Sequence, residues 1–262
     1  MVPLSDAAVN HLTQLPHLRI CHTESPPPIH SIPHSPLVFS PLIELELGKD
    51  TACEWLSLLK CLGGCVGPLS KIKESLKFLK LPSPTIDASA VSTIQTFHNL
   101  VDLTMRTDCH ERRCIFKLND DDITELAMAL PQLEFLLLGR PCSRNTCTTT
   151  VACLLQISVH CVRLQGLEIH FNTTNIINDL KNIPDDPRFQ ELRSRPRCKL
   201  ERLNVHLMEI TLDGPGLETV MNGMIDIFPS LGFCEEVHGS GWEELSKRLW
   251  ESHREMFTPD TP

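Results

Sequence analysis

Tyrosine is absent from this chain, and aromatic residues make up only 5% of it. No mechanism here rests on a phenol. Basic residues are in deficit: 24 Lys and Arg face 33 Asp and Glu, a formal charge of −9. An acidic chain without a concentrated basic stripe repels phosphate backbones, which disfavours nucleic acid as a partner. The densest basic group, Arg193, Arg195 and Arg197, is short and interrupted by Pro196. The first residues, MVPLSDAAVNHL, have neither a basic n-region nor an apolar h-region, so no signal peptide is expected. No run approaches the ~18 uncharged apolar residues of a membrane span. The expected location is the cytoplasm or nucleus, away from membranes.

Signatures of chemistry are missing as well. There is no G-x-x-x-x-G-K-[ST] and no G-x-G-x-x-G to cradle a phosphate. H-E-x-x-H and G-x-S-x-G are absent too. HGSGW, His238 to Trp242, comes near the last of these, but no strand–turn–helix pattern surrounds Ser240 and it reads as a loop. Asp120, Asp121 and Asp122 fall where a helix should begin. Carboxylates there accept backbone N–H bonds and meet the positive end of the helix dipole, so they read as caps rather than metal ligands. Cys109, His110 and Cys114, with Cys142 and Cys147 further on, have spacings C-H-x3-C and C-x4-C that do not match C-x2-C knuckles. No cofactor, metal or catalytic residue is expected, and the chain does not read as an enzyme.

The 12 cysteines are scattered. Cys53, Cys153, Cys161 and Cys234 occupy apolar positions, where a reduced thiol behaves as a small buried hydrophobe. The sequon Asn172-Thr173-Thr174 would matter only in a secreted protein.

Leucine is what the chain has in abundance, at 39 residues. Many fall in one recurring spacing, L-x-x-L-x-L. PLIELEL carries Leu42, Leu45 and Leu47; SLKFLKL carries Leu76, Leu79 and Leu81; NLVDLTM carries Leu100, Leu103 and Met105. QLEFLLL carries Leu133, Leu136 and Leu138; RLQGLEI carries Leu164, Leu167 and Ile169; KLERLNV carries Leu200, Leu203 and Val205. A degenerate copy has Leu18, Cys21 and Thr23, and a weak one starts at Leu231. The first leucines, at 18, 42, 76, 100, 133, 164, 200 and 231, lie 24 to 36 residues apart.

Between the copies lie helical signals with apolar residues at i, i+3, i+4 spacing. Their expected starts are Ser5, Asp50, Asp87, Asp122 with Glu125 in a capping-box spacing, a threonine in TTTVACLLQISVHC, and Pro215 in the first turn of DGPGLETVMNGMIDIF. Each unit therefore reads strand, loop, helix, loop. A unit of about 30 residues cannot bury its own apolar face, but stacking on its neighbours does so. The expected fold is α/β: a solenoid of about 7–8 irregular repeats, with a curved parallel sheet on the concave face and helices on the convex face.

These units resemble leucine-rich repeats, and the likeness covers most of the chain. They are most similar to the irregular repeats of fungal F-box proteins, where LPxLxxLxL follows each helix, as in LPQLEFLLL from Leu130 to Leu138. The resemblance implies substrate recognition for a cullin-type ubiquitin ligase, with an N-terminal F-box on the adaptor and the repeats on the substrate. This sequence starts inside a repeat, with a helix expected over 6–15, and contains no F-box, so no adaptor-binding residue carries over. An adaptor enters as a partner only if an F-box precedes Met1. Three readings stay open: the C-terminal part of such a receptor, a free-standing repeat scaffold, and a truncated, non-functional gene product.

In such a solenoid, residues 1–238 form the repeats, interrupted by a proline-rich loop at 25–41. That loop reads as an extended connection, or as a docking motif with Ser-Pro phosphorylation sites at Ser25, Ser35 and Ser40. Residues 184–197 read as a second, charged loop. Residues 239–257 suit an amphipathic capping helix with Trp242, Leu245, Leu249 and Met256 on one side and Trp250 off the stripe; 258–262 is a disordered tail. Residues between the strand leucines form columns on the concave face. The first runs Glu44, Phe78, Asp102, Phe135, Gly166, Arg202; the second Glu46, Lys80, Thr104, Leu137, Glu168, Asn204; the third Gly48, Pro82, Arg106, Gly139, His170, His206. Chemistry that changes from row to row suits a protein-binding surface, whereas an enzyme gathers acid, base and nucleophile in one pocket. The expected partner-binding residues are Glu46, Phe78, Lys80, Arg106, Phe135, Leu137, Glu168, His170, Arg202, Asn204 and His206. Within them, His170, His206, Arg106 and Glu168 form a group able to hold an acidic or phosphorylated peptide. Purified protein should carry well under one equivalent of zinc; elemental analysis showing a full equivalent would restore the cysteine site.

Overall fold

The computed structural model describes residues 19–23, 42–47, 59, 70–82, 85–106, 115–139, 148–185, 187–192, 194–196, 198–205, 214–231, 233–236 and 244–251. Along the chain these form β1 (Ile20–Thr23), β2 (Glu44–Leu47), α1 (Ser70–Ser75), β3 (Phe78–Pro82), β4 (Thr85–Asp87), α2 (Ala88–Ile94), β5 (Asp102–Arg106), β6 (Ile115–Lys117) and α3 (Asp120–Ala129). There follow β7 (Phe135–Leu138), α4 (Ala152–His160), β8 (Gly166–Ile169), α5 (Ile176–Asn182), a 3₁₀ turn (Ile183–Asp185), α6 (Pro187–Leu192), β9 (Arg202–Val205), α7 (Gly214–Ile227) and β10 (Phe233–Glu236). A last helix, α8, spans 244–251.

Eight strands form one sheet in the order β1-β2-β3-β5-β7-β8-β9-β10, and every neighbouring pair is parallel. Parallel neighbours need a crossover between them, and α2 to α5 lie in those connections. The parallel α/β architecture expected from the repeated L-x-x-L-x-L is therefore present. Its register places each copy opposite the next without slippage: Leu45, Leu79, Leu103, Leu136, Leu167 and Leu203 are successive partners.

One device recurs at the start of β2, β3, β5, β7, β8 and β9. Ile43 and Glu44 N–H both donate to the Arg19 carbonyl, Lys77 and Phe78 to Ile43, Val101 and Asp102 to Lys77, Glu134 and Phe135 to Val101, Gln165 and Gly166 to Glu134, and Glu201 and Arg202 to Gln165, all at 2.8–3.1 Å. A shared carbonyl pins both the register and the face of the incoming strand. Strand burial then alternates, with the leucine positions buried and the residues between them half-buried. Leu76, Leu79, Leu100, Leu103, Met105, Leu133, Leu138, Leu164, Ile169, Leu200 and Leu203 are all fully buried. Each contributes about 1.5–3 kcal/mol by leaving water. Ile72, Val91, Ile123, Leu126, Leu154, Ile157 and Val220, from the helices, share the same core, so the helices cover the leucine face and leave the other face open.

The repeat is longer than the sequence pattern. Three residues before the first leucine sits another buried side chain: Phe97, Leu130, Cys161 and Phe228 precede Leu100, Leu133, Leu164 and Leu231. Each leucine N–H donates to the carbonyl of that residue at 3.0–3.2 Å, forming the turn that leads from helix to strand. Because this position accepts Phe, Leu or Cys, a leucine spacing does not reveal it.

Several expectations shift by a turn. The cap of α3 is Asn119, whose side chain accepts from Asp122 N–H at 2.9 Å while Asp122 accepts from Asn119 N–H at 2.9 Å. Asp122 is thus the third residue of the box and not its cap. Asp87 caps α2 as expected, accepting from Ala90 N–H at 3.1 Å. α4 is not capped by a threonine: its cap residue is Val151, without a side-chain cap bond, and Thr150 just before it accepts from Ala152 N–H at 3.2 Å. Asp120 accepts from both Thr150 N–H and Thr150 Oγ1 at 2.7 Å, tying α3 to the segment before α4.

The segment 184–197 is not simply a loop. Pro187 opens α6, and Ile183 and Phe189 are buried in the core. Its charged residues masked this, because among the described side chains of the segment Phe189 is the one buried in the core, next to Ile183 just before it. α5 and the strands β4 and β6 also carry no leucine signal; β4 and β6 pair parallel in a second, two-stranded sheet. In α8, Leu245 and Leu249 are buried and Trp250 is 58% exposed, as the amphipathic pattern predicts. The helices expected over 6–15 and 50–62 (Leu59 aside), the proline-rich loop, the Cys109–Cys147 cluster, His238–Trp242, Met256 and the tail lie outside the described residues, as do Cys53 and the Cys234 side chain.

Leu136→Ala should destabilise the fold by about 2–5 kcal/mol, since it opens a cavity among the leucines. Gly139→Ala should cost about 1–2 kcal/mol, because Gly139 sits at φ +73° and its Cβ would lie 3.3 Å from Phe116 Cδ2. Urea denaturation followed by circular dichroism reads both, and a silent Leu136→Ala would mean that the inward and outward faces are exchanged.

Candidate binding face

The open face of the sheet consists of the residues between the leucines, in two aligned columns. One runs Glu44, Phe78, Asp102, Phe135, Gly166, Arg202, and the other Glu46, Lys80, Thr104, Leu137, Glu168, Asn204. Parallel strands lie about 4.8 Å apart, so a side chain in one row reaches its neighbours in the next. Of the expected site residues, Glu46, Phe78, Lys80, Phe135, Leu137, Glu168 and Asn204 are half-buried on this face, and Arg202 is exposed. The Arg106 side chain and His206 lie outside the described residues.

His170 is the correction. It is 4% exposed, and its ring meets Phe116 edge-on at 6.2 Å between centroids. β8 ends at Ile169, so the strand alternation that would turn residue 170 outward stops one residue short. The His170 carbonyl instead accepts from Thr149 Oγ1 at 2.7 Å. Gly139 leaves β7 at the equivalent point and is also buried, with Phe116 and Ile86 against it. These two residues come from β6 and β4, so the small second sheet covers the ends of β7 and β8. The third column therefore does not continue the face through Gly139 and His170.

At the β1–β3 end the face is a charge cluster. His22 Nδ1 lies 3.1 Å from Glu46 Oε2, and its Nε2 lies 3.4 Å from Glu44 Oε1. Lys80 Nζ sits 3.8 Å from Glu44 Oε1 and 3.6 Å from Glu46 Oε2. His22, Glu44 and Glu46 thus bring three ligand-type atoms within 4.8 Å of one another. The lysine ammonium lies against the same two carboxylates that a metal ion would need. Sequence reading did not bring His22 to the face, because its repeat copy is degenerate. Partly exposed pairs of this kind add little stability.

At the centre, Gly166 leaves a gap in the first column. Phe135 lies across it: a Cβ on Gly166 would stand 2.9 Å from Phe135 Cδ1. From the far side of the gap, the Arg202 guanidinium carbon reaches to 6.0 Å from the Phe135 ring centroid, a cation–π distance. A pocket of about 380 Å³ opens here, bounded by Asp102, Thr104, Phe135, Leu137, Glu168, Arg202 and Asn204. Thr104 Oγ1 donates to Asp102 Oδ1 at 3.1 Å. Asn204 Oδ1 is buried and accepts no hydrogen bond among the described residues. The significance of Gly166 was not legible beforehand, since a glycine in a column shows its role only when a neighbour's ring fills its place.

The thiols that the structure describes belong to the core, not to a site. Cys161 Sγ points to the Ala127 and Leu130 carbonyls at 3.7 and 3.8 Å, and Cys198 Sγ donates to the Leu164 carbonyl at 3.2 Å. Burial pushes both thiols up to about 12. They stay protonated and act as links between one turn of chain and the previous one.

Among the described residues no helix is long and apolar enough to cross a membrane. No protein-family model matches the sequence, and no curated protein matches it significantly.

Cys161 and Cys198 should resist alkylation by iodoacetamide at pH 8 in the folded protein and react once it is unfolded in guanidinium. Mass mapping of the labelled peptides reads this, and rapid native labelling of either would contradict its burial. Stability should fall as pH rises past about 9, because the unfolded chain then ionises thiols that the folded chain keeps protonated up to about 12.

Proposed function

We propose that this chain is a protein-interaction module, an α/β leucine-rich-repeat solenoid that holds a protein partner on the open, concave face of its sheet. The repeat reading draws support from the unslipped leucine register and from the shared carbonyl that recurs at six successive strand junctions. The binding reading rests chiefly on one observation: Phe135, Leu137 and Arg202 surround a pocket over Gly166 in the middle of a face whose rows otherwise change chemistry one by one. A half-buried aromatic ring with an arginine beside it at a pocket is the type of anchor that concentrates binding energy. Charges toward the edges, Glu44, Glu46 and Lys80, set register and partner choice more than affinity.

The resemblance to F-box proteins extends this reading to substrate recognition for a cullin-type ubiquitin ligase. A free-standing scaffold makes the same use of the face without ubiquitin transfer.

The test is capture of partners from cells by tagged protein, comparing wild type with Phe135→Ala. Phe135→Ala should lose the specific partners at least tenfold while keeping the melting temperature within a few degrees. Retention of every partner by Phe135→Ala would remove this face from the function. A cullin adaptor among the partners, dependent on chain upstream of the repeats, would support the ubiquitin-ligase reading; its absence would favour the scaffold.

A further inference from the structure

We propose that the occupant of this face is an extended basic segment of the partner, with a cationic side chain seated in the pocket above Gly166. The inference rests on the interaction reading just given and assigns the partner's chemistry. Four carboxylates stand on the open face among the described side chains, Glu44, Glu46, Asp102 and Glu168, against two permanent cations, Lys80 and Arg202. The whole chain leans the same way at −9. Burial of His170 removes one of the cations that an acidic or phosphorylated peptide would have used.

The two described cations on the face already illustrate how a positive side chain fits it. Lys80 places its ammonium within 3.8 Å of both Glu44 and Glu46, and Arg202 lays its guanidinium toward the Phe135 ring. Along the same columns the pocket combines that Phe135 ring with acidic groups. Asp102, from β5, and Glu168, from β8, both line it, and Phe135 and Leu137 supply apolar wall for an aliphatic stem. Asn204 Oδ1 adds an acceptor that a donor-bearing ligand would satisfy. At about 380 Å³ the pocket holds one large side chain and not a folded domain. The rest of an extended peptide would run across the rows, meeting Glu46 at one end.

The probe is a fluorescein-labelled ten-residue peptide with one central arginine, three flanking lysines and serine spacers; its counterpart carries glutamate at all four positions. Fluorescence anisotropy with the full chain should show the basic peptide binding at least tenfold tighter than the acidic one, with affinity falling as salt rises. Asp102→Asn with Glu168→Gln should weaken the basic peptide at least fivefold. Asp121→Asn with Glu218→Gln, the same charge change on exposed helix positions, should leave it within twofold. Equal loss in both double variants would reduce the effect to net charge and overturn the site. Failure of the basic peptide to bind, or equal binding of the acidic one, overturns the proposal too. An acidic peptide whose binding is lost in Phe135→Ala would do so while leaving the interaction face itself standing.

Discussion

A carbonyl shared by two successive N–H groups of the next strand is the constraint on which the rest depends. It recurs at Arg19, Ile43, Lys77, Val101, Glu134 and Gln165, each time just before the strand begins. A strand that slipped by one residue would turn its whole leucine row to the open face and its charges into the core. The shared carbonyl and the buried leucines oppose that slip together, one through the backbone and the other through the side chains. Because each junction repeats the previous one, the open face inherits straight columns. Glu44, Phe78, Asp102, Phe135, Gly166 and Arg202 therefore face one way, although they are drawn from six separate stretches of chain.

Connections vary more than strands do, and the structure absorbs the variation with polar and thiol links. Asn99 Nδ2 donates to the Glu74 carbonyl at 2.7 Å, Asp120 accepts twice from Thr150, and Cys198 donates to the Leu164 carbonyl. The first lies on the exposed surface, the second is part-buried and the third is buried, and each pairs polar groups across an irregular junction. These links account for units 24 to 36 residues long sharing one sheet. They also give the cysteines a structural role, since a thiol is small enough to fill a core position and still donate weakly.

The open face of the sheet derives its character from one omission. At Gly166 the column lacks a side chain, and Phe135 leans into the space with Arg202 beyond it. A pocket on a sheet face needs such a gap, because six consecutive full side chains would pave it. The same packing shifts Phe135 from a freely projecting anchor to one wall of a site.

Sequence alone determined the repeat, the strand positions and which side of each strand is buried, because a leucine spacing repeated six times carries period and register together. It also determined the two columns of the open face, residue for residue, since alternation is a property of any extended strand. It did not reach α5, β4 or β6, whose few apolar residues repeat nowhere else, and it placed the α3 cap three residues late because Asn119 and Asp122 both suit a helix start. Only tertiary structure decided that His170 is buried, as that required β6 to bring Phe116 over the end of β8. It alone brought His22 beside Glu44 and Glu46, and it alone made a pocket of Gly166. Periodicity records what a residue does within its own strand; what fills the space beside it depends on chain arriving from elsewhere.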